Sequence, residues 1–329
     1  MIAKTNYLGL NLTSPIIAGS SGLTDNIEKL IELEKSGAGA IVIKSLFEEE
    51  IIQEMNTSHD QSLENGLTFP ETLDMFDRVS DTNSVFDYLE FIKEAKNKLS
   101  IPIIASINCL SSQKWTYFAK KIEEAGADAL ELNIFQMPSD FDRPNSYDLE
   151  KIYFDIINTV LPQISIPVAL KPSFYFSNLG PILQQFSQTG VKGLVLFNRF
   201  FSPDYDIDKL EVIPTNILSS PSDLAISLRW IAIMHQRVNC DLCASTGIHN
   251  GQAVIKEILA GANAVQIASV IYKEGPKIIQ EMNEFIIKWM EKKHYKSIDE
   301  FKGLLSQKNI RNPSNYDRVQ FVKNFRNFD

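Results

Sequence analysis

Two lysines and three asparagines stand where apolar segments of this chain end. Lys44 closes AIVIK and Lys171 closes PVALK, while Asn108, Asn133 and Asn198 close ASIN, LELN and VLFN. Ser20 and Ser21 follow IIAG, Thr246 follows LCAS and Ser269 follows QIA. A polar side chain directly after a buried run needs a partner, so a bound polar ligand explains this set better than core filling does. For either lysine the plainer reading is a stem that snorkels to water or pairs with an acid. The segments ASTGIHNG and QIAS add backbone amides at Thr246, Gly247, Ala268 and Ser269 that could cradle a phosphate without any arginine.

What the set lacks is a base. The stretch ELNIFQMP, residues 131–138, reads as a buried strand entering a loop, yet Gln136 and Met137 are an amide and a thioether, and neither takes a proton. The nearest replacements are Cys109, Ser139 and Asp140. Against them stand a buried small apolar role for Cys109 and a turn role for Asp140. His249 reads as a residue near a helix start. Cys240 and Cys243 have the spacing of a redox or metal pair, but no second pair lies nearby, so buried thiols and no metal site are expected.

The elements that must position these residues come from a weak internal repeat. SGAGAIVIK, AGADALELN, TGVKGLVLFN and AGANAVQIA share a glycine stop, a short turn and an apolar strand. SPIIAG, SIPIIASIN and SIPVALKP interleave with them, each with proline at the strand start, and VNCDLCASTG completes the set without proline. The strands fall at 15–19, 40–44, 102–107, 129–133, 167–171, 193–198, 240–245 and 264–268. Such runs suit parallel strands covered on both faces. Helical patterns fill the gaps at 26–35, 85–97, 115–124, 149–161, 179–188, 223–235 and 251–259, with Asp25 as the expected N-cap of the first. Eight alternating units close most simply as an α/β fold, a (β/α)8 TIM barrel, with a doubly wound open sheet as the rival.

One domain, 1–329, is expected, with long connections at 46–84, 134–147 and 199–222 and a helical tail at 294–329. All three connections follow strand C-termini, the face on which barrels build their sites. A net charge of -9 argues against a nucleic-acid partner. No window approaches a membrane span and no leader is evident, so no membrane partner and a cytoplasmic location are expected. Three cysteines fit a reducing compartment.

In this order, PIIAGSSGL, GAGAIVIKS, IPIIASIN, GADALELN, IPVALKP, GLVLFN, LSSP, STGIHNG and GANAVQIAS resemble the dihydroorotate dehydrogenase family, in particular its soluble, dihydroorotate dehydrogenase-like branch. The resemblance implies an FMN-containing barrel, an oxidoreductase of pyrimidine biosynthesis acting on a small molecule, and a homodimer. It places Ser20, Ser21, Lys44 and Ser45 beside the flavin, and Asn108, Asn133 and Asn198 at the isoalloxazine or substrate. Lys171 falls near the pyrimidine end, where a fixed cation stabilises a reduced, anionic flavin. Ser220, Thr246, Gly247, Ala268 and Ser269 fall at the ribityl chain and phosphate. The family's Cys or Ser base falls on Gln136 or Met137, and its Asn after the second strand is missing. The cofactor half of the resemblance is intact and the catalytic half is broken. A flavin-binding paralogue with a ligand- or partner-binding role, and a flavin-free barrel for a phosphorylated metabolite, are the alternatives.

Overall fold

All eight apolar runs become strands that run parallel and close on themselves. In chain order the elements are β1 (Thr5–Tyr7), β2 (Leu10–Leu12), β3 (Ile16–Ala18), α1 (Ile27–Lys35), β4 (Ala40–Val42), β5 (Leu46–Phe47), α2 (Asn83–Lys98), β6 (Ile103–Cys109), α3 (Trp115–Glu124), β7 (Ala129–Ile134) and α4 (Ser146–Val160). There follow β8 (Val168–Lys171), α5 (Leu179–Gln188), β9 (Gly193–Leu196), β10 (Ser202–Asp206), β11 (Glu211–Thr215), α6 (Leu224–Met234), β12 (Asp241–Ser245), α7 (Gly251–Ala260), β13 (Ala264–Ile267), α8 (Ser269–Glu274) and α9 (Lys277–Lys293). The computed structural model describes residues 3–47, 83–109, 115–134, 136–137, 146–199, 202–215 and 217–316. The strand order β4-β3-β13-β12-β9-β8-β7-β6 returns from β6 to β4, with β5 pairing on β6 as an extension. This is the closed (β/α)8 ring, and the open-sheet rival is set aside.

The ring explains why these strands show no alternation. Ile17, Val42, Ile104, Ala129, Ala169, Val195, Cys243 and Ala264, one from each strand, pack together inside the barrel with Tyr7, Leu8 and Leu12 of the β1–β2 hairpin beneath them. Their chain neighbours, such as Ile16, Ile41, Ile103, Leu130, Leu170, Leu194, Leu242 and Val265, pack outward against the helices. Both faces are dry, so both must be apolar. Gly193 leaves room for the hairpin: a Cβ there would stand 2.6 Å from Leu8 Cδ2.

The two proline-opened segments at 100–102 and 165–167 share one anchor. Glu34 accepts hydrogen bonds from the Ser100 amide and hydroxyl and from the Ile101 amide, and Glu123 does the same for Ser165 and Ile166. The Ser165 hydroxyl is the first cause holding the Glu123 carboxyl below its ordinary range. A helix-end glutamate thus satisfies the amides that lie before each strand.

Some expectations shift. The N-cap of α1 is Asn26, whose side chain accepts from the Lys29 amide, while Asp25 instead pairs with Lys29 Nζ at 2.7 Å. The alternation of apolar and acidic residues in SPDYDIDKLEVIPT was passed over; it forms the antiparallel β10–β11 hairpin within the 199–222 connection. Most of the 46–84 and 134–147 connections lies outside the described residues. Of the tail, Phe301 is buried against Tyr295, just past α9, and against Trp289 in its last turns. No described helix is long and apolar enough to cross a membrane.

Candidate functional site

Two residues beyond the apolar plug, the lumen turns polar. Side chains on a strand return to the same face every second residue. Ala129, Ala169 and Ala264 of the plug are therefore followed inside the barrel by Glu131, Lys171 and Gln266. All three are buried. Lys171 Nζ lies 3.3 Å from Glu131 Oε1 and donates to Gln266 Oε1 at 2.8 Å, while Gln266 Nε2 donates to Glu131 Oε2. Gln266 reaches across from β13, which is not adjacent to β7 or β8. Removing one member of such a buried pair costs about 3–5 kcal/mol, because the other charge is stranded.

Above this unit lie two adjoining cavities of about 250 and 350 Å3. The smaller is lined by Ser20, Asn133, Lys171, Asn198, Thr246, Gly247, Gln266, Ala268 and Ser269 among others, and Phe197, Asn198, Arg199, Ser245 and Thr246 are common to both. An ammonium has three donors, and Lys171 uses two on Glu131 and Gln266, which leaves one for the cavity. Asn198 commits its amide hydrogens to the carbonyls of Lys171 and Ile134, so its oxygen remains as an acceptor. Asn133 Oδ1 is buried without a hydrogen-bond partner. The site therefore offers acceptors from two asparagines beside one cationic donor, the complement of a planar ligand carrying N–H and C=O groups on its edge.

The other end of the smaller cavity is built by turns. Thr246 and Gly247 sit at φ +82° and +77°, the left-handed region, which a β-branched residue adopts only under constraint. Ser220 caps the turn before α6, its amide donating to Asp223 Oδ2 at 2.7 Å. The Ser219 amide donates to Ser269 Oγ, its hydroxyl meets His249 Nε2 at 3.0 Å, and its carbonyl accepts from Lys273 Nζ. Burial, and then Lys273, hold His249 below its ordinary range. His249 thus braces this turn through Ser219.

Of the expected residues, Ser20, Asn133, Lys171, Asn198, Thr246, Gly247, Ala268 and Ser269 meet in the smaller cavity, and Ser220 lines the larger. Ser45 is buried beneath Ser20, its hydroxyl 3.0 Å from Ser20 Oγ and 2.8 Å from Ser106 Oγ. Ser21 closes the turn to Thr24, Asn108 is buried level with Asn133, and Lys44 is exposed; none of the three lines either cavity. Ser139 and Asp140 lie outside the described residues, and Cys109 ends β6 level with Ile134. Gln136 is half-buried and Met137 is 45% exposed. Burial pushes the Cys240 thiol up to about 12 and Cys243 higher still, so neither is a thiolate at neutral pH.

Sequence reasoning passed over Arg199, Glu131 and Gln266. Arg199 lines both cavities, donates to the Ile217 carbonyl at 2.6 Å and faces Asp223 at 3.9 Å. Arg199 adds a cation to a lining read from backbone amides alone, and its signal was an arginine directly after strand-end Asn198. Glu131 and Gln266 were hidden inside strands read as uniformly apolar. Two-residue alternation from Asn133 and Ala268 would have found them.

A sequence profile described as dihydroorotate dehydrogenase matches residues 2–290. The catalytic subunit of dihydroorotate dehydrogenase B (NAD(+)) from Thermoplasma volcanium is 26% identical, over 92% of this chain and 97% of its own length. The corresponding subunit from Methanocaldococcus jannaschii is also 26% identical, with 92% and 97% covered. Dihydroorotate dehydrogenase A (fumarate) from Lactococcus lactis is 26% identical, with 92% and 98% covered.

Proposed function

The chain belongs to the dihydroorotate dehydrogenase family, and from that premise we propose that it is an FMN-dependent oxidoreductase whose barrel, a single domain, no longer handles dihydroorotate well. FMN is typical of the family, and the residues fit it. The observation that carries the reading is the orphaned, buried Asn133 Oδ1 beside Asn198 and the spare Lys171 donor, a pattern that suits the edge of an isoalloxazine. The turns at Thr246–Gly247 and Ala268–Ser269 would hold the ribityl phosphate, with Arg199 close by. Bound FMN supplies a two-electron acceptor.

The chain's own residues bind and orient. Lys171 holds positive charge at the floor of the cavity, and Asn133 and Asn198 present acceptors that fix a planar, dihydroorotate-like or other cyclic substrate. Where the family's base falls, Gln136 and Met137 supply no group that takes a proton. The same residues support a second reading, a flavin-binding paralogue that serves through ligand or partner binding. A cytoplasmic location accords with a chain of only three cysteines and a net charge of -9.

A homodimer partner has a surface to form on. Opposed residues of an antiparallel pair share a face, so Pro203, Tyr205, Val212 and Pro214 lie on one side of the β10–β11 hairpin, with Ile207 and Leu210 at its tip. Tyr205 is 68% and Leu210 89% exposed. A two-stranded hairpin alone is marginal in water, and burying this apolar face against a second copy would stabilise it.

The test is FMN titration of the purified protein, then anaerobic mixing with dihydroorotate while the flavin absorbance is followed. The expected result is a yellow protein that stays oxidised. A colourless protein that refuses FMN overturns the cofactor reading; rapid bleaching overturns the loss of the base and turns attention to Cys109, Ser139 and Asp140.

A further inference from the structure

Lys171 is not a lone cation. Its ammonium stands between the cavity it lines and Glu131, which lines neither cavity and is 1% exposed. Gln266 closes the triangle in one sense only: its oxygen accepts from Lys171 while its nitrogen donates to Glu131. The reverse orientation would set an amide hydrogen against an ammonium and an amide oxygen against a carboxylate. Among the described residues, the other titratable groups near Glu131 are Tyr7 and Cys243 in the plug and Tyr88 of α2, all buried with burial raising them, so all three are neutral. The unit is therefore a neutral pair with its positive end toward the cavity, held from three strands.

We infer that Glu131 and Gln266 are positioning residues that set the charge and direction of Lys171 toward the cavity, and through it the redox poise of a flavin bound there. This rests on the FMN reading given above. In a low-dielectric lumen a charge one side chain behind Lys171 still acts strongly on what lies in front of it. A free cation would favour an electron-rich flavin more than this balanced pair does. The pair thus holds the flavin at an intermediate poise, and the amide of Gln266 keeps the ammonium from swinging away.

The experiment uses sulfite, an anion that adds to oxidised flavin and bleaches it, so that its dissociation constant reports the positive field at the flavin without any substrate. FMN-loaded wild type, Glu131→Gln and Gln266→Glu are titrated with sulfite, and FMN affinity and far-UV circular dichroism are measured for each. The expected order of sulfite affinity follows net charge. Glu131→Gln binds at least tenfold more tightly than wild type, a shift of about 30 mV if it appears whole in the two-electron potential. Gln266→Glu, which sets a second carboxylate against Lys171, binds at least tenfold more weakly. Sulfite constants within twofold of wild type in folded variants overturn the inference. Should Glu131→Gln not fold, Gln266→Glu alone decides by the same criterion. Refusal of FMN by the wild-type protein is a different result, which overturns the cofactor reading itself and this inference with it.

Discussion

A methyl group placed on Gly247 would stand 2.0 Å from the amide nitrogen of Leu224, so the turn after β12 and the start of α6 touch through a residue without a side chain. Gly247 also sits at φ +77°. Both facts forbid a Cβ. Gly247→Ala is expected to destabilise the fold by roughly 1–3 kcal/mol and, by displacing the cradle, to weaken FMN binding at least tenfold. Thermal melts and flavin fluorescence titration check this. A variant that binds FMN as tightly as wild type would show that the turn does not hold the phosphate.

The proposed loss of the family's base at Gln136 and Met137 predicts a gain of function on restoring one. Gln136 is the second residue past the end of β7, and its backbone lies against buried Tyr153. Tyr153 also donates to the Ile134 carbonyl. A side chain at 136 is thus fixed at its root. Gln136→Cys is expected to bleach its flavin with dihydroorotate at least a hundredfold faster than wild type in anaerobic stopped flow, with the gain rising with pH as the thiol ionises. Equal rates in the two proteins would mean that loss of the base does not limit the reaction.

How much of this was legible follows from what each residue faces. The eight strands were readable because both faces of each are dry, so nearly every position had to be apolar. Asn133, Lys171 and Asn198 announced themselves by breaking those runs at their ends. Glu131 and Gln266 did not, because a polar residue between apolar neighbours in a strand looks like noise until the opposite strand is known. Gln266 meets Lys171 only when the sheet closes. Arg199 was hidden for another reason: its partners are carbonyls of 217 and 218, across a hairpin that had been read as a plain connection.

That hairpin carries a prediction of its own. Its outward apolar face, Tyr205 and Val212 with Leu210 at the tip, is the proposed contact between copies. Tyr205→Asp with Leu210→Asp is expected to raise the dimer dissociation constant at least a hundredfold in sedimentation velocity while FMN affinity stays within threefold. A wild-type protein that sediments as a monomer at tens of micromolar, or a double variant that remains dimeric, would end the proposal.

Glu257 makes the fold's stability depend on pH in an unusual direction. It is fully buried on α7, its Oε1 accepts from Ser227 Oγ at 2.7 Å, and its Oε2 has no partner. Burial pushes its carboxyl up to about 8. In the unfolded chain the same group titrates near its ordinary value, about 4.3. Between those two values the folded state holds a proton that the unfolded state has released, so stability from this group falls as pH rises, by roughly 1 kcal/mol per pH unit. Below the unfolded value the contribution is whole, and above about 8 it has gone. Glu257→Gln removes the titration. Its melting temperature is expected to match or fall slightly below that of wild type at pH 5 and to exceed it by several degrees at pH 8.5. The check is the difference between the two melting curves across that range, since other groups titrate equally in both proteins. A difference that does not change with pH would mean that the Glu257 carboxyl is ionised in the folded barrel.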